Sequence, residues 1–123
     1  MLKQELIKYL NGNTLIGIKG GRDRERFTDI WMVNIDDRFF SRSWNRNTKS
    51  WFIELVKQGN GQIQFGSKTV NVKGQKVDEG DKIQNKINAA YLIKYNQPEN
   101  IVYSEGITKP EYSKYTLEFI LLE

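Results

Sequence analysis

Two pairs of short runs, each joined by a two-residue turn, constrain the fold more than any other feature of the sequence. Residues 30–35 (IWMVNI) and 38–44 (RFFSRSW) flank Asp36-Asp37. The same arrangement returns over 62–72 (QIQFGSKTVNV), where apolar and polar residues alternate on either side of Gly-Ser. Runs of this length around two turn residues are typical of β-hairpins, so the sequence predicts two antiparallel strand pairs.

The two-residue turn fixes which residues of the first hairpin face each other. It predicts that Val33 lies opposite Phe40 and that Trp31 lies opposite Arg42. With that pairing, the guanidinium of Arg42 would lie on the indole ring of Trp31.

Helices and further strands are predicted around the hairpins. Apolar residues recur at helical spacing over 2–10, from a cap at Asn47 or Thr48 to Gly59, and from Gly80 to Tyr95. Apolar runs predict strands over 14–18 and 115–122, with a loop over 99–114. Hairpins with interspersed helices indicate an α+β domain, and short strands can remove their edges by closing into a barrel. We therefore predict one domain over residues 1–123, a small antiparallel β-barrel with peripheral helices.

The sequence contains neither cysteine nor histidine. These absences exclude disulfide frameworks, thiol nucleophiles, Ser-His-Asp triads and nearly every zinc site, so we predict no metal site. No apolar run approaches the ~20 residues that span a bilayer, and no signal-peptide pattern opens the chain. We therefore expect a cytoplasmic protein without a membrane segment. No catalytic residue is indicated by any motif.

Arginine is concentrated in one part of the chain. All six arginines lie between Arg22 and Arg46, whereas the 13 lysines are scattered, and the net charge is only +4. The planar fork of an arginine matches phosphate or carboxylate in a way that lysine does not, so the cluster favours a binding segment. Acidic residues in the same window, such as Asp36 and Asp37, allow local ion pairs as the alternative explanation.

Basic and hydroxyl residues surround the predicted start of the second helix: Arg42, Ser43, Arg46 and Lys49. A helix N-terminus offers free N–H groups and a partial positive charge, so this arrangement favours a bound phosphate or another anion. The alternative is a capped surface helix with solvated basic side chains. Trp44 leaves the strand among polar residues and is the tryptophan best placed to stack on a ligand ring. The other two tryptophans are expected to fill the core.

The run DIWMVNIDDRFFSRSWNRNTKSWFIELVKQGNGQIQFGSKTVNVKGQKVD resembles an uncharacterised bacterial family, domain of unknown function 2255. Three parts carry the resemblance: a strand with Trp31 that ends at an acidic turn, a partner strand that leads to Arg42-Ser43, and a helix opening at Trp51 before a hairpin with Gly66. That family is similar to split-barrel flavin-binding proteins, which include pyridoxamine phosphate oxidases and deazaflavin-dependent nitroreductases.

The resemblance implies a split barrel and a homodimer with cofactor sites at the subunit interface. In the flavin-binding relatives, basic and hydroxyl side chains on two strands and the following loop hold the cofactor phosphate. By position, these are Arg24, Arg26, Thr28, Arg42, Ser43, Asn45, Arg46 and Lys49 in this chain, with Trp44 beside them.

Two functions are therefore open. The first is a phosphate-bearing cofactor site for flavin mononucleotide (FMN) or a deazaflavin, in an oxidoreductase of small molecules. It would explain the missing histidine and cysteine, because the cofactor would carry out the hydride chemistry. The alternative is a non-enzymatic binding module for single-stranded nucleic acid or an anionic metabolite, since basic residues interleaved with aromatic rings suit such surfaces.

Overall fold

The computed structural model describes residues 2–20, 26–44 and 50–122. Its helical elements are α1 (Leu2–Gly12), α2 (Trp51–Gln58), α3 (Ile83–Lys94), α4 (Ile101–Ile107) and a 3₁₀ helix over Pro110–Tyr115. Its strands are β1 (Ile16–Gly20), β2 (Thr28–Ile30), β3 (Val33–Ile35), β4 (Arg38–Arg42), β5 (Asn60–Phe65), β6 (Lys68–Lys76) and β7 (Thr116–Leu121).

Seven strands form one antiparallel sheet in the order β2-β1-β5-β6-β7-β4-β3. The two edge strands, β2 and β3, are consecutive in the chain and are separated only by Trp31 and Met32. Three Cα steps of ~3.8 Å join Ile30 to Val33, so the two edges of the sheet come close together at this point. The sheet therefore curls on itself, and the predicted α+β split barrel with peripheral helices is confirmed.

The barrel splits at Trp31 and Met32, where one edge ladder ends and the other begins. Side chains from elsewhere in the chain bond to the backbone of these two residues. The Ser41 hydroxyl donates to the carbonyl of Trp31 (2.7 Å), and the Tyr95 hydroxyl accepts from the N–H of Met32 (3.1 Å). Lys94 Nζ donates to the carbonyl of Met32 (2.8 Å). Buried backbone groups that leave a strand ladder need such partners, so these bonds stabilise the split.

Strand β4 lies between two hydrophobic cores, because its successive side chains point to opposite faces of the sheet. Phe39 packs into the larger core, which also includes apolar residues of α1, α2, β1, β5, β6 and β7. Phe40 packs into a second core beneath α3, together with Val33, Tyr91 and Tyr95. Burial on both faces explains why β4 carries two adjacent phenylalanines instead of an alternating pattern.

Helix α2 packs against β1, β5 and β6 at very short range. A methyl group on Gly74 would lie 2.0 Å from Cδ2 of Leu55, and one on Gly61 would lie 2.4 Å from the carbonyl oxygen of Lys19. The helix ends at Gly59, whose φ of 81° is the left-handed conformation that glycine adopts without strain. Glycines thus allow the helix to approach the sheet and then let the chain enter β5.

The hairpin predictions are confirmed. Val33 pairs with Phe40 across the first hairpin, and Phe65 pairs with Lys68 beside the turn of the second. Gly59 ends α2 as predicted. These features depend on local sequence, which is why the pattern of turns and apolar residues was sufficient to predict them.

Other local predictions are wrong. The N-cap of α2 is Ser50, whose Oγ accepts from the N–H of Ile53 (3.3 Å), not Asn47 or Thr48. The predicted strand 30–35 is broken at the split, so Trp31 does not pair with Arg42. The physical reason is that side-chain hydrogen bonds replace the ladder there.

The predicted loop 99–114 is also wrong, since it contains α4 and the 3₁₀ helix. Its Ser104 and Ile107 are buried, and the Ser104 hydroxyl donates to the carbonyl of Tyr91 in α3 (2.9 Å). Contacts with α3 therefore stabilise a helix whose own sequence includes Gly106, a residue that disfavours helices.

Candidate functional site

A cleft of about 390 Å³ lies where the barrel splits. Residues 28–31 form one wall, where the chain leaves β2, and residues 42–44 form the opposite wall, at the end of β4. The start of α2 also lines the cleft, and the remaining lining residues are Leu15, Tyr103 and Ile107. Sites for small molecules have volumes of roughly 300–1,000 Å³, so this cleft is large enough for a small ligand.

Arg42 lines the cleft and is only 4% exposed. Its Nε donates to Oγ1 of Thr116 (3.1 Å), and its Nη1 donates to Oδ1 of Asn88 (2.5 Å) and the carbonyl of Ile107 (3.2 Å). Its Nη2 donates to Oε1 (2.7 Å) and the carbonyl (3.4 Å) of Gln84. Five neutral oxygens therefore accept from the guanidinium, and they hold it in one position.

Among the described residues, no carboxylate matches the charge of Arg42, because none forms a salt bridge with it. Burial lowers the pKa of Arg42, but an arginine stays protonated in proteins. Its guanidinium carbon lies 5.9 Å from the ring centroid of Tyr91, so Tyr91, not Trp31, is the aromatic ring beside this cation.

Asp29 is the other charged residue among the described lining, and it is exposed to water, which screens its charge.

Tyr91 remains neutral beside Arg42. Its hydroxyl accepts from the backbone N–H of Arg42 (2.8 Å), and burial raises the pKa of Tyr91 to about 12. A tyrosinate that would neutralise the guanidinium is therefore absent at physiological pH. Among the described lining residues, Arg42 therefore keeps a permanent positive charge in one wall, and the exposed Asp29 carries a negative charge in the other.

The three tryptophans all line the cleft but differ in exposure. Trp51 is 9% exposed and belongs to the larger core, as predicted. Trp31 stacks on Tyr95, with ring centroids 4.0 Å apart. Trp44 is 38% exposed and meets Tyr112 edge to face, with centroids 5.0 Å apart. Trp44 therefore offers the most accessible indole surface of the three.

Helix α2 begins at the cleft, because its N-cap Ser50 and its first residue Trp51 both line the cavity. The N–H of Ile53 is capped by Ser50 Oγ, and the N–H of Glu54 bonds to the Ser50 carbonyl. The N–H groups of the first two helical residues have no acceptor within an α-helix. They and the helix dipole make this end of the cleft favourable for negative charge.

The structure brings together four of the residues predicted to bind a ligand: Thr28, Arg42, Ser43 and Trp44 all line the cleft. Arg26 is exposed, two residues before Thr28, and is not part of the lining. Arg24, Asn45, Arg46 and Lys49 lie outside the described residues.

Sequence reasoning missed Tyr103 and Ile107 because their segment was predicted to be a loop. It also missed Gln84 and Asn88, whose side chains accept from Arg42. A signal for that pair was present: with Tyr91, they are spaced four and three residues apart and so lie on one face of α3. Two amides on the buried face of a helix indicate a buried polar partner.

Among residues 2–20, 26–44 and 50–122, no group of three or more acidic side chains is placed to hold a metal ion. No helix in these ranges is long and apolar enough to cross a membrane.

Comparison with known proteins identifies the family. The comparison with curated proteins gives no match. The family of uncharacterized proteins conserved in bacteria, DUF2255, matches residues 16–119, which run from β1 into β7 and include both walls of the cleft. Since this match covers well over half of the sequence, the chain belongs to the DUF2255 family.

Proposed function

We propose that this protein binds a small, planar, phosphate-bearing molecule in the cleft at the barrel split. FMN, or a deazaflavin with a phosphate, is the member of this class that the resemblance to flavin-binding split barrels favours. Two properties of the cleft support the proposal: indole surface that suits a flat ring, and the buried positive charge of Arg42, which suits a phosphate.

The buried charge of Arg42 is the observation that carries the proposal. A buried ion without a counter-ion costs free energy, and an anion in the cleft would offset part of that cost. All five N–H groups of Arg42 are already bonded within the chain. We therefore assign to Arg42 a contribution through its charge, whereas the direct hydrogen bonds to the ligand come from other groups.

Two parts of the cleft lining carry donors for a phosphate. Thr28, which has a hydroxyl, belongs to one wall, and the start of α2, with its first N–H groups, also lines the cleft. Arg46 and Lys49 lie in the stretch between Trp44 and Ser50, two residues that line the cleft. We propose that these two basic side chains pair with the phosphate.

With a flavin bound, the ring would supply the hydride chemistry of an oxidoreductase, and the chain would hold and orient it. Two exposed aromatic rings line the cleft, Trp44 at 38% and Tyr103 at 58% exposure, and we take them to form part of its rim. A second copy that covers this rim would shield the ring from water. A homodimer is therefore part of the proposal.

Titration of FMN with the purified protein, followed by the quenching of flavin fluorescence, tests the proposal. We expect saturable quenching by FMN. We also expect at least tenfold weaker binding of riboflavin, which has the ring without the phosphate, because a phosphate contact should contribute at least ~1.4 kcal/mol.

Substitutions of basic residues distinguish a specific phosphate contact from a general attraction between the anionic ligand and a positively charged protein. Arg46→Gln and Lys49→Gln should weaken the binding of FMN and leave that of riboflavin unchanged. Lys57→Gln and Lys73→Gln remove the same charge from exposed positions outside the cleft lining and serve as matched controls. Absence of quenching by both flavins would contradict the ring site, and equal affinities for the two would contradict the phosphate site.

Single-stranded nucleic acid is the competing ligand, and the described strands give it little support. Such surfaces need exposed aromatic rings among basic residues. The exposed positions of β5 and β6 carry amide, hydroxyl and amine side chains instead: Asn60, Gln64, Lys68, Thr69, Asn71, Lys73, Gln75 and Lys76. Binding of oligothymidine that weakens steeply with salt would favour this alternative over the cofactor site.

A further inference from the structure

A second cleft, of about 450 Å³, lies beside α1, β3 and α3. Four of its lining residues are apolar, two are amides and one is an amine: Leu10, Val33, Ala90, Ile93, Asn11, Asn34 and Lys94. Lys94 is therefore the one charged residue that lines it among the described part of the chain. This cleft shares no lining residue with the cleft at the barrel split.

Lys94 lines this cleft, and its amine is held by the backbone at the barrel split. Its Nζ donates to the carbonyl of Met32 (2.8 Å) and lies 5.3 Å from the ring centroid of Tyr95. No carboxylate forms a salt bridge with it among residues 2–20, 26–44 and 50–122. One N–H bond therefore orients the amine without neutralising its charge.

Burial acts on Lys94 more strongly than its neighbours do. It lowers the pKa of Lys94 to about 8, although the C-terminal end of α3 favours a positive charge. Asn11 of α1 and Asn34 of β3 are neutral, and burial raises the pKa of Tyr95, so that its phenol also stays neutral. A substantial fraction of Lys94 is thus a neutral amine with a free lone pair near pH 7.5.

We propose that Lys94 is a nucleophilic amine that forms a Schiff base with a small neutral aldehyde held in the second cleft. The ammonium group first releases one proton to water, and the amine then adds to the carbonyl carbon. The carbinolamine takes up a proton and loses its oxygen as water, which leaves a protonated imine. Lys94-NH₃⁺ and the aldehyde are converted to the iminium and one water, without an oxidant or reductant.

The surroundings of Lys94 decide the class of carbonyl compound. The apolar walls suit a short alkyl chain, and the described lining offers no second cation for a carboxylate or phosphate. The protonated imine keeps one N–H, which can still donate to the carbonyl of Met32. A keto acid would instead bring a second charge into a cleft that offers it only amides. A neutral aldehyde of a few carbons therefore fits better.

Reductive alkylation of the full chain tests this proposal without the need for a variant. The protein is treated at pH 7.5 with butanal and cyanoborohydride, and the rate at each lysine is measured by peptide mapping. The neutral fraction of an amine with a pKa of about 8 exceeds that of an ordinary lysine by roughly two hundredfold at this pH. Lower nucleophilicity of the less basic amine offsets part of this, so we expect Lys94 to react roughly tenfold faster than Lys57 and Lys73.

If butanal binds in the cleft before it reacts, the alkylation rate at Lys94 should show further properties. The rate at Lys94 should saturate with butanal and should exceed the rate with glyoxylate, an anionic aldehyde. Ala90→Leu narrows the cleft and should slow the reaction, whereas Ala89→Leu, on the exposed side of α3, should not. In urea, which unfolds the protein, the alkylation rate at Lys94 should fall to that at Lys57 and Lys73. A rate at Lys94 equal to that at Lys57 and Lys73 in the folded protein, or a rate that never saturates, would overturn the proposal.

Discussion

The ring of Tyr95 lies flat against the indole of Trp31, with centroids 4.0 Å apart and 6° between the planes. The same tyrosine bonds through its hydroxyl to the N–H of Met32 (3.1 Å) and the carbonyl of Thr14 (2.8 Å). One side chain of α3 therefore supports both the aromatic packing and the backbone at the barrel split. This dual role allows the two contributions to be separated by substitution.

Tyr95→Phe keeps the stacked ring and removes the hydroxyl. We expect it to lower the free energy of unfolding by about 1–3 kcal/mol, because the buried N–H of Met32 loses its partner. Urea denaturation measures the change. Tyr103→Phe removes a hydroxyl from a side chain that is 58% exposed and is the matched control, expected to change little. Equal effects of the two substitutions would contradict the role given to the Tyr95 hydroxyl.

Arg42→Lys tests the buried guanidinium network. A lysine has three N–H donors, so at least two of the five acceptor contacts lose their partner, and we expect a loss of roughly 1–3 kcal/mol in unfolding free energy. Arg38→Lys is the control, since Arg38 bonds Glu118 at 2.9 Å but is half exposed. It should cost less than about 1 kcal/mol. A larger loss for Arg38→Lys than for Arg42→Lys in thermal or urea unfolding would refute the assignment.

Gly61→Ala tests the close approach of β1, β5 and α2. The added methyl would lie 2.4 Å from the carbonyl oxygen of Lys19 and 2.9 Å from Cδ1 of Leu55, and a backbone oxygen in a ladder cannot simply rotate away. We expect a loss of roughly 1–3 kcal/mol or more. At Gly12, an added methyl group would have no described atom within 4 Å apart from the adjacent residues and the backbone of its own helix, so Gly12→Ala should be neutral or stabilising by up to about 1 kcal/mol. The denaturation midpoint of Gly61→Ala should be clearly lower than that of Gly12→Ala, and equal midpoints would contradict the close approach.

Stability should rise with pH above pH 8 because of Lys94. Burial lowers the pKa of Lys94 to about 8 in the folded protein, whereas a lysine in an unfolded chain titrates with a pKa of about 10.4. Between these values the unfolded state binds more protons, so deprotonation favours the folded state. We expect a gain of about 1–2 kcal/mol from pH 8 to 9.5, measured by urea denaturation.

Lys94→Met provides the control for this pH dependence. It removes the titrating group, so the rise between pH 8 and 9.5 should disappear even though the carbonyl of Met32 loses a donor. At higher pH, tyrosines of the unfolded chain ionise first, because burial raises the pKa values of Tyr91 and Tyr95. Their effect lowers stability and restricts the useful window to values below about pH 10. An unchanged slope in the variant would show that another group is responsible.

Local patterns predicted much of the sheet. The pairing of Val33 with Phe40 follows from a two-residue turn between apolar runs, and Asp36 adopts φ 54° there, a conformation that aspartate tolerates. The break at Trp31-Met32 was not predictable in this way. It depends on bonds from Lys94 and Tyr95, more than 60 positions away, and the residues at the break are as apolar as those of a continuous strand.

For the candidate site as well, some features could be predicted from the sequence and others could not. Its lining includes Thr28, Arg42, Ser43 and Trp44, which are four of the residues that the arginine cluster and the family resemblance indicate. The state of Arg42 could not be predicted, because a sequence does not show whether an arginine faces water or a set of buried amides. Its acceptors come from α3, the end of α4 and the start of β7, which only tertiary packing brings together.

Residues 28–35 serve as both the first and the last strand of the sheet, with a spacer of two residues between the two roles. That spacer connects the two edges of the sheet, so its length limits how far apart they can lie, whereas a surface turn tolerates extra residues. Side chains alternate along a strand, so a single inserted residue after Trp31 would turn β3 over and exchange its buried and exposed faces. We therefore expect members of this family to vary in length at their hairpin turns and to keep this two-residue spacer constant.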